Sequence, residues 1–270
     1  MSLRTRLLFF ATAWAIVLMP FLFWRATWFG RPLTNQEMTE YLHDDQKPRH
    51  IQHALVQMGE RIARRAPETE QWYPDLVRLA SYPVEEVRNT DAWVMGQDNT
   101  QAAFHQALLK MLQDTSPTVR GNAALSLVRF GDASGHDQLL ELLKPASVAA
   151  PSAGTVVDAA SVGTAVHQGG TVAKLKSANG EVEARTPISG RVRDVLVRTG
   201  TPVEAGHPLA TVAPEEAQVW EALRALYIVG KPEDAGLIRT YEREQPDMSE
   251  RVRQQAVATE KAVLTRSAKQ

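Results

Sequence analysis

The chain has 270 residues, no cysteine and a formal net charge of −1 at pH 7. Such a length holds two modest domains, and the near-zero charge leaves no overall electrostatic case for nucleic acid. The lack of cysteine excludes disulfides, thiol catalysis, Cys-ligated zinc and iron–sulfur clusters.

The first feature is an uncharged apolar run, Leu7 to Trp24, with Arg4 and Arg6 before it and Arg25 and Arg31 after. At 1.5 Å per residue it would be about 27 Å long as a helix, close to the roughly 30 Å hydrocarbon core of a bilayer. Trp24, Trp28 and Phe29 fall where interfacial aromatics sit. Pro20 lies near the end of the run, where a kink is tolerated. The exit is bulky and charged and lacks the small residues of a signal-peptide cleavage site. Residues 1–32 are therefore expected to be a single-pass anchor, in the membrane through residues 7–24. Arginines at both ends give little orientation contrast. The short basic tail is that of a signal anchor, which puts the body on the periplasmic side of a bacterial inner membrane.

From Pro32 to about Lys144 the apolar spacing is helical. Thr34 with Glu37 forms a capping-box signature. Ile51, Leu55, Met58 and Ile62 then make one stripe, and Trp72, Leu76 and Leu79 the next. Asn99 to Gln113 supplies a further helix. Two stretches resemble each other: Pro83-Val84-Glu85-Glu86-Val87-Arg88 leading to Ala92, and Pro117-Thr118-Val119-Arg120 leading to Ala124 and Phe130-Gly131-Asp132. Val87 and Val119, Arg88 and Arg120, and Ala92 and Ala124 are each 32 residues apart. Leu-rich second helices follow, and Leu109, Leu112, Leu140 and Leu143 are the expected core positions. The proline, the Val-Arg pair, the small alanines and the Gly/Asp turn resemble the HEAT repeat. That resemblance implies helix pairs that bury their apolar faces against neighbouring repeats; a plain helical bundle is the alternative.

At Pro145 the composition shifts to Val, Thr, Gly and Ala with strand-like alternation. The stretch is duplicated. Pro151 and Pro187 are 36 residues apart, as are Gly154 and Gly190, and Gly163 and Gly200 are 37 apart. This pattern, above all Pro187-Ile188-Ser189-Gly190 through Gly206-His207-Pro208-Leu209, is similar to the lipoyl/biotinyl hammerhead, also found in membrane-fusion proteins of efflux and secretion systems. In those proteins a helical hairpin usually splits the halves; here they run on continuously. The resemblance implies a carrier lysine at the tip of the hairpin joining the halves. Counting back from Pro187 in that family's pattern reaches Asn179, so the carrier position is vacated. Asn179-Gly180 is read as the two-residue turn itself, with Lys174 and Lys176 on the adjoining strand.

Helix resumes at Pro214-Glu215-Glu216, with Val219, Ala222, Leu223, Leu226 and Val229 in register and Gly230 at the end. Asp247 with Glu250 reads as a capping box for a terminal helix. The β segment is thus inserted between helical repeats.

No catalytic signature emerges: no P-loop, Rossmann fingerprint, G-x-S-x-G or H-E-x-x-H. His50 and His53 share a helical face but imply no third metal ligand. His105 reads as a boundary residue, Glu85-Glu86 and Glu215-Glu216 as helix-start carboxylates, and Trp72, Tyr73 and Trp93 as core aromatics. The fold expected is α+β multidomain: an anchor (1–32), HEAT-like repeats (33–145), a lipoyl/biotinyl-like barrel-sandwich hybrid (146–214) and a C-terminal helical repeat (215–270). The function expected is a non-catalytic, membrane-anchored scaffold or adaptor in an integral-membrane or envelope complex. It would have no cofactor, metal, nucleic-acid partner or small-molecule substrate. An accessory of an export or efflux system is the alternative, and a carrier subunit of an enzyme the third.

Overall fold

A computed structural model of the chain describes residues 10, 12–21 and 31–267. The expected membrane anchor is corrected: among the described residues no helix is long and apolar enough to cross a membrane. Within the run the described residues, 10 and 12–21, are helical. Residues 7–9, 11 and 22–24 of the run, and Trp28 and Phe29, lie outside the described residues. With the anchor goes the single-pass, inner-membrane placement of the body. Contacts divide the chain into two compact units, Met1–Val94 and Met95–Gln270.

The first unit holds α1 (Asn35–Leu42), α2 (Pro48–Ala63), a 3₁₀ turn (Pro67–Trp72), α3 (Tyr73–Leu79) and α4 (Glu85–Met95), whose last residue crosses the boundary. Both bonds of the capping box form at Thr34 and Glu37. The stripe Ile51, Leu55, Met58 and Ile62 is buried, as are Leu76 and Leu79. Trp72 is core, and its indole N–H donates to Thr39 Oγ1 at 2.9 Å. Trp93 is not: it is 42% exposed. Its ring lies over Gly59 of α2, where a Cβ would come within 2.4 Å of it, so a missing side chain makes its seat on the unit's surface.

The second unit begins with α5 (Ala102–Met111), α6 (Pro117–Arg129) and α7 (His136–Glu141). Ser116 Oγ accepts from Val119 N at the start of α6, with Pro117 inside the first turn. At the other end Gly131 takes a φ of 74°, and Asp132 N reaches Leu127 O at 3.1 Å, closing a Schellman turn. The 32-residue repeat is visible in side-chain bonding. Arg88 Nη1 donates to Tyr82 O and Pro83 O at 2.8 and 3.1 Å, and Arg120 Nη1 donates to Asp114 O and Thr115 O at 2.7 and 3.1 Å. The leucine register is corrected. Phe104, Leu108, Met111, Leu112, Leu139 and Leu143 are buried, whereas Leu109 and Leu140 are only half-buried. Leu108-Leu109 and Leu139-Leu140 each offer two possible faces, and the helix turns the first of each pair inward, while the expected Leu112 and Leu143 are buried.

Eight strands follow: β1 (Ala146–Ala149), β2 (Gly154–Ala159), β3 (Ala165–Val166), β4 (Thr171–Ser177), β5 (Gly180–Arg185), β6 (Gly190–Val195), β7 (Pro202–Val203) and β8 (Pro208–Pro214). They form two four-stranded sheets, ordered β1-β8-β6-β3 and β5-β4-β2-β7. The internal repeat maps onto this order: β2, β3 and β4 correspond to β6, β7 and β8. β2 and β6 share the same alternation of buried and exposed positions. Gly163 and Gly200, one from each half, have φ of 86° and 89°, a left-handed turn that favours glycine. The two sheets enclose Val148, Val156, Val172, Leu175, Val192, Leu209 and Val212.

The chain then returns to α8 (Glu216–Val229), a short α9 (Ala235–Ile238) with flanking 3₁₀ turns, and α10 (Glu250–Ser267). α8 packs against α6, α7 and α10, so the β module is looped out of one continuous helical stack. The expected capping box at Asp247 does not form: α10 starts at Glu250, and Asp247 takes a left-handed φ of 63°. Glu215 precedes α8 without a side-chain capping bond.

Candidate functional site

The site that the sequence singles out is the hairpin between β4 and β5. Its register closes Ser177 onto Gly180, which makes Ala178 and Asn179 the turn residues. The expected turn pair is thus shifted back by one: among these residues only Gly180, the first of β5, has positive φ, at 119°. Asn179 is exposed at the tip and presents a neutral amide. The nearest amines lie back along β4. Lys174 stands opposite Glu183 and pairs with Glu181 Oε1 at 3.4 Å, and Lys176 stands opposite Glu181. Both are flanked by carboxylates across the ladder.

Two elements outside the module bond to it, α6 and the segment before α10. Thr118 Oγ1 on α6 donates to Pro187 O at 3.1 Å and accepts from Gln168 Nε2 at 3.0 Å, while Gln168 N donates to Ser189 Oγ at 3.1 Å. Arg191 Nε meets Asp247 Oδ2 at 2.8 Å. A cleft of about 830 Å³ opens between module and helices, with Asn122, Gln138, Ser147, Ile188 and Gln218 among its walls.

The entry and exit segments are tied as well. Gln218 Nε2 donates to Leu142 O at 2.9 Å, and Tyr241 OH donates to Leu143 O at 2.5 Å. Burial at that point pushes the Tyr241 phenol up to about 12. Beneath them His136 Nε2 lies 2.7 Å from Asp234 Oδ2, a buried pair that joins residues on either side of the insertion. The same oxygen accepts from Lys231 N at 2.6 Å.

The remaining candidates do not converge. His50 Nδ1 is 2.7 Å from Asp44 Oδ2 under a stacked Tyr41, and His53 Nε2 is 3.0 Å from Gln57. Burial, then the neighbouring His50, lowers the pKa of His53. His105 is half-buried, stacks on Phe130 and reaches Asp132 Oδ2 at 2.7 Å. The side-chain and backbone bonds of Ser134, aided by His105, hold Asp132 below the usual carboxylate range. Glu85 and Glu86 occupy the first turn of α4. Among the described residues no group of three His, Cys, Asp or Glu could hold a metal ion. One buried acid had no signal in the sequence reading: Asp91 on α4, fully enclosed, with neither carboxyl oxygen hydrogen-bonded. Desolvation raises its pKa well above the ordinary value, against a weaker pull from Arg78.

Comparison with known proteins identifies two parts of the chain. The biotin/lipoyl family, described as "Biotin-requiring enzyme", matches residues 146–212, and the HEAT repeat family matches 106–134. The curated proteins contain no match. Among solved structures, one titled "Structure and function of a single-chain, multi-domain long-chain acyl-CoA carboxylase" is similar at 27% identity. It covers 27% of this chain, which spans 8% of that one, with a TM-score of 0.25, below what a shared fold requires. The chain therefore carries a HEAT repeat and a biotin/lipoyl domain, a combination that fits a non-catalytic scaffold or adaptor.

Proposed function

We propose that the protein is a non-catalytic scaffold or adaptor subunit of a multiprotein complex, in which the helical repeats and the β module hold partner proteins. The observation that carries this reading is Asn179. Carrier chemistry of the biotin or lipoyl kind, as the family resemblance implies it, needs a lysine amine at the joining hairpin, and this hairpin offers an amide. The amines of Lys174 and Lys176 sit back on a strand facing Glu183 and Glu181. HEAT-type stacks expose extended side-chain surfaces suited to protein partners. An accessory role in export or efflux is the weaker reading, because the two-residue turn Ala178–Asn179 leaves no place for a helical hairpin between the halves.

Intact-mass measurement of the protein co-expressed with biotin and lipoate ligases tests the non-carrier part. No adduct is expected on the wild type, and an adduct on Lys174 or Lys176 would replace the scaffold reading with that of an enzyme's carrier subunit. Affinity purification under gentle conditions tests the rest. Stoichiometric recovery of a defined protein assembly is expected, whereas a protein recovered alone at every expression level would count against an adaptor.

A further inference from the structure

We infer that the β module is a fixed arm, mounted rigidly on the helical stack of its own unit, and not a domain that swings on its linkers. The inference goes beyond the scaffold reading, since a modified and an unmodified module could each be fixed or free.

The argument begins with the linkers. Between Pro214, the last residue of β8, and Glu216, the first of α8, stands one residue, Glu215. Between Glu141 of α7 and Ala146 of β1 stand residues 142–145. Four flexible residues would span an r.m.s. distance of about 10–12 Å and could act as a hinge. These four are not free to do so. Leu143 is 1% exposed, its carbonyl is held by Tyr241, and the carbonyl of Leu142 is held by Gln218. Both tethers come from beyond the insertion, one from α8 and one from the 3₁₀ turn after α9, so rotation of the entry segment would break bonds to two separate elements.

The module is also gripped directly, at points remote from its linkers in sequence. Thr118 bonds the backbone at Pro187, 69 residues away, and Gln168, 50 residues away. Arg191 in addition meets Asp247. That ion pair is half exposed on both sides, and alone it would contribute little. It adds a second element to the mount: β6 is held to the segment before α10, while the turns at Gln168 and Pro187 are held to α6. Attachments to two different elements, α6 and the segment before α10, act with two short covalent connections against rotation of the body. A fixed arm also spares a partner the ordering cost of capturing a mobile one.

The lack of cysteine makes the test direct. Spin labels on Ala178→Cys at the hairpin tip and Lys110→Cys on α5 report the distance between arm and stack. The expected distribution is as narrow as the labels' own linkers allow. A distribution broader by on the order of 10 Å, the reach of a free four-residue linker, would overturn the inference. In the background of Thr118→Val, Gln168→Ala, Arg191→Ala, Gln218→Ala and Tyr241→Phe together, the distribution should widen. If it stays narrow in a variant that retains its circular dichroism, these contacts are not the mount and the assignment fails. Should that variant not fold, amide hydrogen exchange of the wild type decides. Protection of Leu143 and of Val148 in β1 to the same degree supports the fixed arm, and rapid exchange confined to 142–145 refutes it.

Discussion

The buried pair between His136 and Asp234 gives the most quantitative expectation. Asp234 is 1% exposed at its side chain and His136 9%, and they lie 98 residues apart, on either side of the β module. One carboxyl oxygen of Asp234 accepts both from His136 Nε2 and from Lys231 N. Asp234→Ala removes both acceptor contacts and leaves the buried Nε2 of His136 and the backbone N–H of Lys231 without this acceptor. Hydrogen bonds to a charged group contribute about 1.5–3 kcal/mol each, and breaking a buried pair by removing one member costs about 3–5 kcal/mol. For a unit of this size each kcal/mol shifts the melting temperature by about 2–4 °C, so a fall of roughly 10 °C is expected by calorimetry or circular dichroism. Asp234→Asn keeps one acceptor and should lose less than half as much. A double-mutant cycle with His136→Ala isolates the pair and should give a coupling above about 1.5 kcal/mol. Additivity within about 0.5 kcal/mol, the behaviour of independent sites, would refute a bond across the insertion.

Other expectations rest on single features. A Cβ at Gly190 would lie 1.9 Å from Ala213 O on the paired strand, so Gly190→Ala should cost about 3 kcal/mol or more by overpacking. Gly163→Ala and Gly200→Ala, which meet no atom within 4 Å, should each cost about 1–2 kcal/mol from left-handed strain alone, and equally, in urea unfolding. Leu139→Ala should cost about 2–5 kcal/mol, and the half-buried Leu140→Ala clearly less; the reverse order would show the helix turned. Asp91 holds its proton in the folded state where an unfolded chain has lost it, so its contribution is full below the ordinary carboxylate value and is lost as pH rises. Asp91→Asn should therefore raise the melting temperature at pH 7 and flatten its decline above about pH 4; a lower melting temperature would mean that the carboxylate has a partner. The Tyr241 phenol, pushed up to about 12, gives stability that is present below pH 10 and lost as pH rises toward 12. Tyr241→Phe should cost about 1 kcal/mol at neutral pH and abolish that alkaline loss.

What could be read in the sequence was whatever repeats at short range. The stripe from Ile51 to Ile62, the box at Thr34 and Glu37 and the 32-residue spacing of Arg88 and Arg120 are local patterns, and each has its counterpart in burial or bonding. The duplicated glycines likewise announce the paired halves of the module. Where two neighbouring residues satisfied one pattern, the choice was undetermined. Leu139 and Leu140 differ by a rotation of about 100°, and Asn179-Gly180 and Ala178-Asn179 by one step of register. Asp247 matched a capping signature, yet it turns left-handed and meets Arg191, an attraction that no spacing along the chain encodes. Trp93 has the composition of a core residue, but its surroundings depend on Gly59, 34 residues earlier. The apolar run at Leu7–Trp24 passed a length test on sequence, yet among the described residues no helix is long and apolar enough to cross a membrane. The bond from α6 to the module, Thr118 to Pro187, and the bond across the insertion, His136 to Asp234, join residues 69 and 98 positions apart and left no trace in one sequence read alone.

The side-by-side departure of β1 and β8 has a consequence for the order of assembly. Ala146 pairs with Val212, so a folded module brings its two ends together, and α7 and α8 leave it as near neighbours. Without that pairing, α8 could reach α6 and α7 only by closing a disordered loop of some 70 residues. Lengthening a loop from about four residues to 70 is roughly four doublings, and each adds about 0.6 kcal/mol of closure entropy. The strand ladder thus relieves the helical stack of about 2.5 kcal/mol. A nascent chain that completes the module first would find its last helices already delivered to their seats, whereas one that starts from the helices must search for them across an open coil.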